Sequence, residues 1–198
     1  NYQAAQILTW TEQYSAADAY YRRALTVSPR NADVWAAWGE SLSFSHNPRA
    51  GDAFQRALQI KPNFVRALVG LGNVHLWSNE YSSASAAFGR ALAAAPRSAA
   101  ALTGLGDALT FSSQPDDAIS YYQRALVFEP YNAQARLGLG RALVLAKRET
   151  EAIPVLRQVL ERDPQNADAM NLLADAQGAH TPDTALATLQ RLLQQQDS

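Results

Sequence analysis

The chain has 198 residues and a formal net charge of −1, with a pI near 6.3, which removes any broad electrostatic pull towards nucleic acid or anionic lipid. It contains no cysteine, which excludes disulfides, thiolate nucleophiles and Cys-based metal sites and suits cytosol and periplasm equally. No apolar run approaches the ~20 residues needed to span a bilayer, and the 47% hydrophobic content is rich in alanine, a composition for closely packed helices.

Proline sets the period along the chain. Pro29, Pro62, Pro96, Pro130 and Pro164 are spaced 33, 34, 34 and 34 residues apart. That spacing divides the chain into units 1–31, 32–64, 65–98, 99–132, 133–166 and 167–198. Each unit predicts two helices. The first opens after an N-cap candidate two residues past the proline: Asn31, Ser98, Asn132 or Asn166. It carries a Trp38-Gly39, Leu71-Gly72, Leu105-Gly106 or Leu139-Gly140 pair and ends near Trp10, Phe44, Trp77, Phe111 or Leu145. The second helix begins around Ala17, Ala50, Ala84, Ala118, Ala152 and Ala185, with Asn47-Pro48 and Thr181-Pro182 reading as N-cap and first helical residue. It carries a bulky residue (Tyr21, Phe54, Phe88, Tyr122, Leu156, Leu189) and closes on an invariant leucine from Leu25 to Leu193. Pro154 falls inside the fifth unit's second helix, where a local distortion is expected.

These seats resemble the tetratricopeptide repeat, whose 34-residue pattern W-x2-L-G-x2-Y, A-x3-F, P is followed by Trp35, Trp38, Gly39, Leu42, Ala50, Phe54, Ala57 and Pro62. The resemblance covers nearly the whole chain. It implies an all-α, right-handed superhelical solenoid of about six helix-turn-helix units, each burying its apolar face against its neighbours. Because Asn1 already lies inside a repeat, the chain reads as a fragment of a longer protein.

On a helical wheel, Leu68, Leu71, Gly72 and His75 form the stripe towards the second helix of their own unit. Arg66, Gly70, Asn73 and Trp77 lie roughly 140–200° away and face outward. The resemblance implies that this outward stripe lines a concave groove. Carried over seat by seat, the candidate groove residues include Trp10, Asp33, Glu40, Phe44, Arg66, Asn73, Trp77, Asp107, Phe111 and Arg141, with Gln3 and Gln6 at the start and Asp168, Asp175 and Ala179 at the end. An aromatic row (Trp10, Phe44, Trp77, Phe111) runs beside a row of small residues (Ala37, Gly70, Gly104, Gly138). Two readings stand. The rings pack between first helices that the glycines bring together, or the rings form a docking strip and the glycines open the backbone to a ligand.

The charged groove seats are mixed, Asp33, Glu40, Asp107, Asp168 and Asp175 against Arg66 and Arg141, which disfavours the family's carboxylate-clamp mode. Arg23, Arg56, Arg90, Arg124 and Arg191 recur near the ends of the second helices, where they offset the helix dipole. His46, His75 and His180 lie in different units, and His75 reads as a buried core residue. No catalytic residue, metal site or cofactor motif is identified.

The sequence thus points to a non-enzymatic scaffold binding a protein or peptide in its groove. A further resemblance is to periplasmic repeat domains of bacterial exopolysaccharide export proteins, such as the cellulose-synthase export subunit. It implies, as the alternative, a periplasmic location where the array guides a neutral glucan or tethers synthase components. Nucleic acid and a membrane span are not expected, and the end repeats offer faces for self-association.

Overall fold

The computed structural model describes residues 1–178, and every described element is an α-helix: α1 (Tyr2–Trp10), α2 (Tyr14–Val27), α3 (Ala32–Phe44), α4 (Ala50–Ile60), α5 (Val65–Trp77), α6 (Tyr81–Ala94), α7 (Ala99–Phe111), α8 (Pro115–Phe128), α9 (Ala133–Leu145), α10 (Glu149–Arg162) and α11 (Ala167–Ala176). Ala179, His180, Thr181-Pro182, Ala185, Leu189, Arg191 and Leu193, with the second helix expected of the last unit, lie outside the described residues. The helices fall into two compact units, Asn1–Ala108 and the part of the chain from Leu109 onward, with the division in the last turn of α7.

In the first unit the helices pair as α1 with α2, α3 with α4 and α5 with α6, and α2 and α4 pack on the next first helix. Consecutive first helices also touch, α1 with α3 and α3 with α5. In the second unit α8 packs on α9, α9 on α10, α10 on α11, and α9 on α11.

Asparagine caps set the helix starts. The Asn31 Oδ1 accepts from the amides of Asp33 and Val34 at 3.0 and 3.2 Å. Asn132 and Asn166 cap α9 and α11 in the same way at 2.9 and 3.0 Å, and the Ser98 hydroxyl accepts from the Ala101 amide at 3.3 Å. Each such bond satisfies an amide that the helix leaves without an internal partner. The Asn47-Pro48 start is corrected. Asn47 Oδ1 accepts from the Arg49 amide at 3.0 Å, and α4 begins at Ala50, because the dipeptide forms a turn of its own before the helix. α10 continues through Pro154 without a break. Proline supplies no amide to the Thr150 carbonyl four residues earlier, and Thr150 is an exposed residue.

The first helices of both units stop by one device. Glu12, His46, Asn79, Ser113 and Lys147 all have φ between 52° and 63°. The next amide reaches back to a carbonyl five residues earlier, as in Gln13 to Leu8 at 2.8 Å, Glu80 to His75 at 2.8 Å and Arg148 to Leu143 at 2.9 Å. This is the Schellman pattern, closed without glycine at these five ends, whereas Gly178 with φ 70° takes the same seat after α11.

The core is a series of rings in small-residue sockets. Phe54 is 1% exposed and lies against Gly39 of its own hairpin and Gly70 of the next. A β-carbon built on Gly70 would fall 2.3 Å from the ring, and one on Gly39 2.8 Å. Phe88 sits likewise against Gly72 and Gly104, and in the second unit Tyr122 meets Gly138 and Leu156 meets Gly140. The idea that Gly70, Gly104 and Gly138 open backbone to a ligand is therefore overturned. Their missing side chains are filled by the ring of the preceding hairpin.

The arginine stripe also differs from expectation. None of Arg23, Arg56, Arg90 or Arg124 lies in the last turn of its helix, and the dipole effect fades within that turn. Arg90 instead donates to the Pro62 carbonyl at 3.0 Å, Arg56 to Gln59 at 2.9 Å, and Arg124 lies over the Tyr121 ring.

Candidate functional site

The aromatic row occupies the final residue of each first helix, where the left-handed turn begins. A residue at that point has lost the helical neighbours that would cover it on the C-terminal side. Trp10 is 91% exposed, Trp77 62%, Phe44 60% and Phe111 47%, and Leu145 in the same seat is exposed too. The rings are not sealed between the first helices.

In the first unit, α1, α3 and α5 surround a cavity of about 790 Å³. Trp10 and Phe44 border it, Ala37 and the buried Tyr21 lie at its base, and Gln3, Gln6, Ile7, Glu12 and Tyr14 line its α1–α2 side. The Phe44 and Tyr14 rings stack at a centroid distance of 6.3 Å and an interplanar angle of 29°. Burial raises the Tyr21 phenol above its ordinary pKa, and the Tyr21 and Thr9 hydroxyls share a hydrogen bond at 3.2 Å.

One ion pair crosses the cavity wall. Arg66 of α5 binds Glu40 of α3 through Nε and Nη2, forming a two-point bridge. Hydrogen bonding to Glu40 holds the guanidinium even more firmly charged than usual. Both side chains remain about a third exposed, so the pair adds at most about 1 kcal/mol. Its larger effect is to fix two charged groups against each other and remove Arg66 as a free anion receptor.

Four of the ten residues expected from sequence (Trp10, Glu40, Phe44 and Arg66) come together at this cavity. Asp33, Asn73 and Trp77 belong to the same unit but do not line it. Asp107 is buried in α7, 9% exposed, and is corrected from a groove-facing group to an enclosed one. In the second unit Arg141 lies over Phe111, 5.8 Å from the ring centroid, and bridges to Asp168 at 3.0 Å. His75 is corrected as well. It is partly exposed, and its Nδ1 meets Glu80 at 2.5 Å across the α5–α6 turn, since a position next to the helix end is open to solvent. The wheel reading missed Glu12 and Tyr14, because the turn and the start of the second helix lie off the first helix's stripe, and it missed Ile7, which lies in α1 itself one turn after Gln3. Glu12 stands two residues beyond the Trp10 ring at a non-glycine turn position, and that signal could have found it.

Among the described residues no helix is long and apolar enough to cross a membrane. Comparison with known proteins gives a consistent picture. The chain superposes on the crystal structure of PilW, a widely conserved type IV pilus biogenesis factor, with a TM-score of 0.85 and 25% identity over 98% of this chain and 90% of that one. It superposes on YrrB, described as a TPR protein with an unusual peptide-binding site, with a TM-score of 0.67 and 26% identity over 84% of this chain and 87% of that one. A stretch of 62 residues is 39% identical to the peroxisomal targeting signal receptor of Candida albicans (strain SC5314 / ATCC MYA-2876), covering 31% of this chain and 10% of the receptor, so the chain spans about a tenth of that relative's length. Residues 112–174 match a family described as tetratricopeptide repeat. Residues 4–113, more than half of the chain, match the cilia and flagella-associated protein 70 middle TPR-like domain, and the chain belongs to that family of tetratricopeptide-repeat arrays.

Proposed function

We propose that the chain is a non-enzymatic scaffold that binds an extended segment of a partner protein in the cavity bordered by α1, α3 and α5. The observation that carries this reading is the pair of exposed rings, Trp10 and Phe44, flanking one cavity of about 790 Å³. Large apolar side chains left in water at the rim of a concave site serve the fold little and a ligand well. The Gln3 and Gln6 amides beside them offer both donors and acceptors to a peptide backbone. A terminal-carboxylate clamp is disfavoured, since Arg66 is already engaged by Glu40. Similarity to YrrB, with its described peptide-binding site, supports the same reading.

The test is selection of peptides from a displayed library, followed by titration of the best binder. Replacing Trp10 and Phe44 together with alanine is expected to weaken binding at least about tenfold, as for anchor residues at an interface, with the far-UV circular dichroism unchanged because both rings are exposed. Unaltered affinity in the double variant would sink the proposal. The same rings and glutamines also suit a neutral glucan, the ligand that goes with a periplasmic export role. Saturable binding of a cello-oligosaccharide that the double variant loses, with no library peptide recovered, would move the assignment there.

A further inference from the structure

We propose that the cavity of the first unit recognises a cationic side chain, an arginine carried on an extended protein segment. This rests on the reading of that cavity as a peptide site and names the chemistry it selects. Beside the buried Tyr21, three exposed or half-exposed aromatic side chains, Trp10, Tyr14 and Phe44, line the same space, with the Tyr14 and Phe44 rings inclined at 29° and their centroids 6.3 Å apart. Ring faces carry negative quadrupole potential and attract a guanidinium, most strongly where water is displaced.

The charges on the wall point the same way. Of the three ionised groups that line it, Glu40 and Arg66 neutralise each other. Glu12 has no cation partner among the described residues. The lining is left with one carboxylate beside the Trp10, Tyr14 and Phe44 rings.

The second unit supplies an internal precedent. There the row's ring, Phe111, has a guanidinium of the chain itself above it, Arg141 at 5.8 Å. Arg141 is one first helix further along than Phe111. In the first unit the corresponding seats hold Glu40 after Trp10 and Asn73 after Phe44. Among the described residues, no arginine or lysine lies over Trp10, Tyr14 or Phe44. The cation that the second unit provides from within has to come from a partner in the first.

The experiment compares three N-acetylated, C-amidated pentapeptides, Gly-Ala-X-Ala-Gly, with X as arginine, citrulline or leucine. Binding to the full chain is followed through the Trp10 indole N–H resonance, assigned by Trp10→Phe. Citrulline keeps the size and most of the hydrogen bonds of arginine but not its charge. The arginine peptide is expected to bind about tenfold tighter than the citrulline peptide. Glu12→Gln is expected to reduce that preference severalfold, and Trp77→Leu, outside the cavity, to leave it unchanged. Equal affinities for arginine and citrulline, a preference for leucine, or a preference insensitive to Glu12→Gln would each overturn the cation assignment while leaving peptide binding intact. No shift with any of the three, together with no binder recovered from the displayed library, would remove both.

Discussion

At the scale of single residues, the ring-and-socket series makes opposite predictions for two glycines. A methyl group on Gly70 would stand 2.3 Å from a ring that also lies against Gly39 and is 1% exposed, so Phe54 has little room to retreat. Gly70→Ala is expected to destabilise the protein by about 1–3 kcal/mol, the usual cost of overpacking. Gly89 lies mid-helix in α6 with nothing within 4 Å of an added β-carbon, and Gly89→Ala is expected to stabilise by roughly 0.5–1 kcal/mol through the unfolded chain's lost freedom. Urea melts of both variants check the pair, and equal signs would refute the socket account. The same series explains a buried hydroxyl without a partner. Thr9 with Tyr21 and Thr110 with Tyr122 form hydrogen-bonded pairs at 3.2 Å. Ser43 occupies the equivalent seat opposite Phe54, and its Oγ has none. Phe54→Tyr is expected to restore the pair and raise stability by about 0.5–1.5 kcal/mol in the same melts. An unchanged or lowered midpoint would mean that the two side chains do not meet.

At the scale of helices, the ends carry removable strain. Lys147 closes α9 in the left-handed region at φ 59°, a conformation that costs a residue with a β-carbon roughly 1–2 kcal/mol. Lys147→Gly is expected to raise the thermal midpoint, and Asn79→Gly at the matching turn to raise it less, since asparagine tolerates that conformation. An unchanged or lowered midpoint in Lys147→Gly would argue that the turn is not strained. These ends also mark what could be read from sequence. The 34-residue period, the asparagine caps and the outward direction of Trp77 were legible because they depend on spacing along one helix. The fate of Gly70 was not, because its occupant, Phe54, comes from the preceding hairpin, and a wheel shows direction without showing what fills it. Tyr14 and Glu12 escaped for a related reason. They reach the cavity from the turn and from α2, and a stripe drawn on α1 alone does not contain them. The pairing of Glu40 with Arg66 likewise depends on two neighbouring first helices placing opposite charges side by side.

For the molecule as a whole, repeat construction means that each helix draws its stability from its immediate neighbours. Within the first unit α1 is the least supported. It has nine residues, packs its backbone against α2 and α3 and reaches α5 through the Tyr2–Arg66 side-chain contact, buries Ala5 alone and leaves Ile7 and Trp10 exposed. α3 has neighbours in α1, α2, α4 and α5 and buries nine residues along its length. Local opening should therefore be easiest in α1, and its amides are expected to exchange with deuterium fastest among the helices of that unit. The cavity is built on this helix, which couples stability to binding. A ligand that touches Gln3, Gln6 and Trp10 can do so only when α1 is formed, so occupancy stabilises the closed helix in proportion to the logarithm of ligand concentration over Kd. At about a hundredfold excess over Kd that linkage amounts to roughly 2.7 kcal/mol, enough to slow α1 exchange about a hundredfold if opening abolishes binding. Exchange measured with and without the arginine pentapeptide at saturation, resolved by helix, provides the check. Protection rising in α1 and staying constant in α6 is the expected pattern, whereas protection rising in α6 and not in α1 would place the ligand elsewhere.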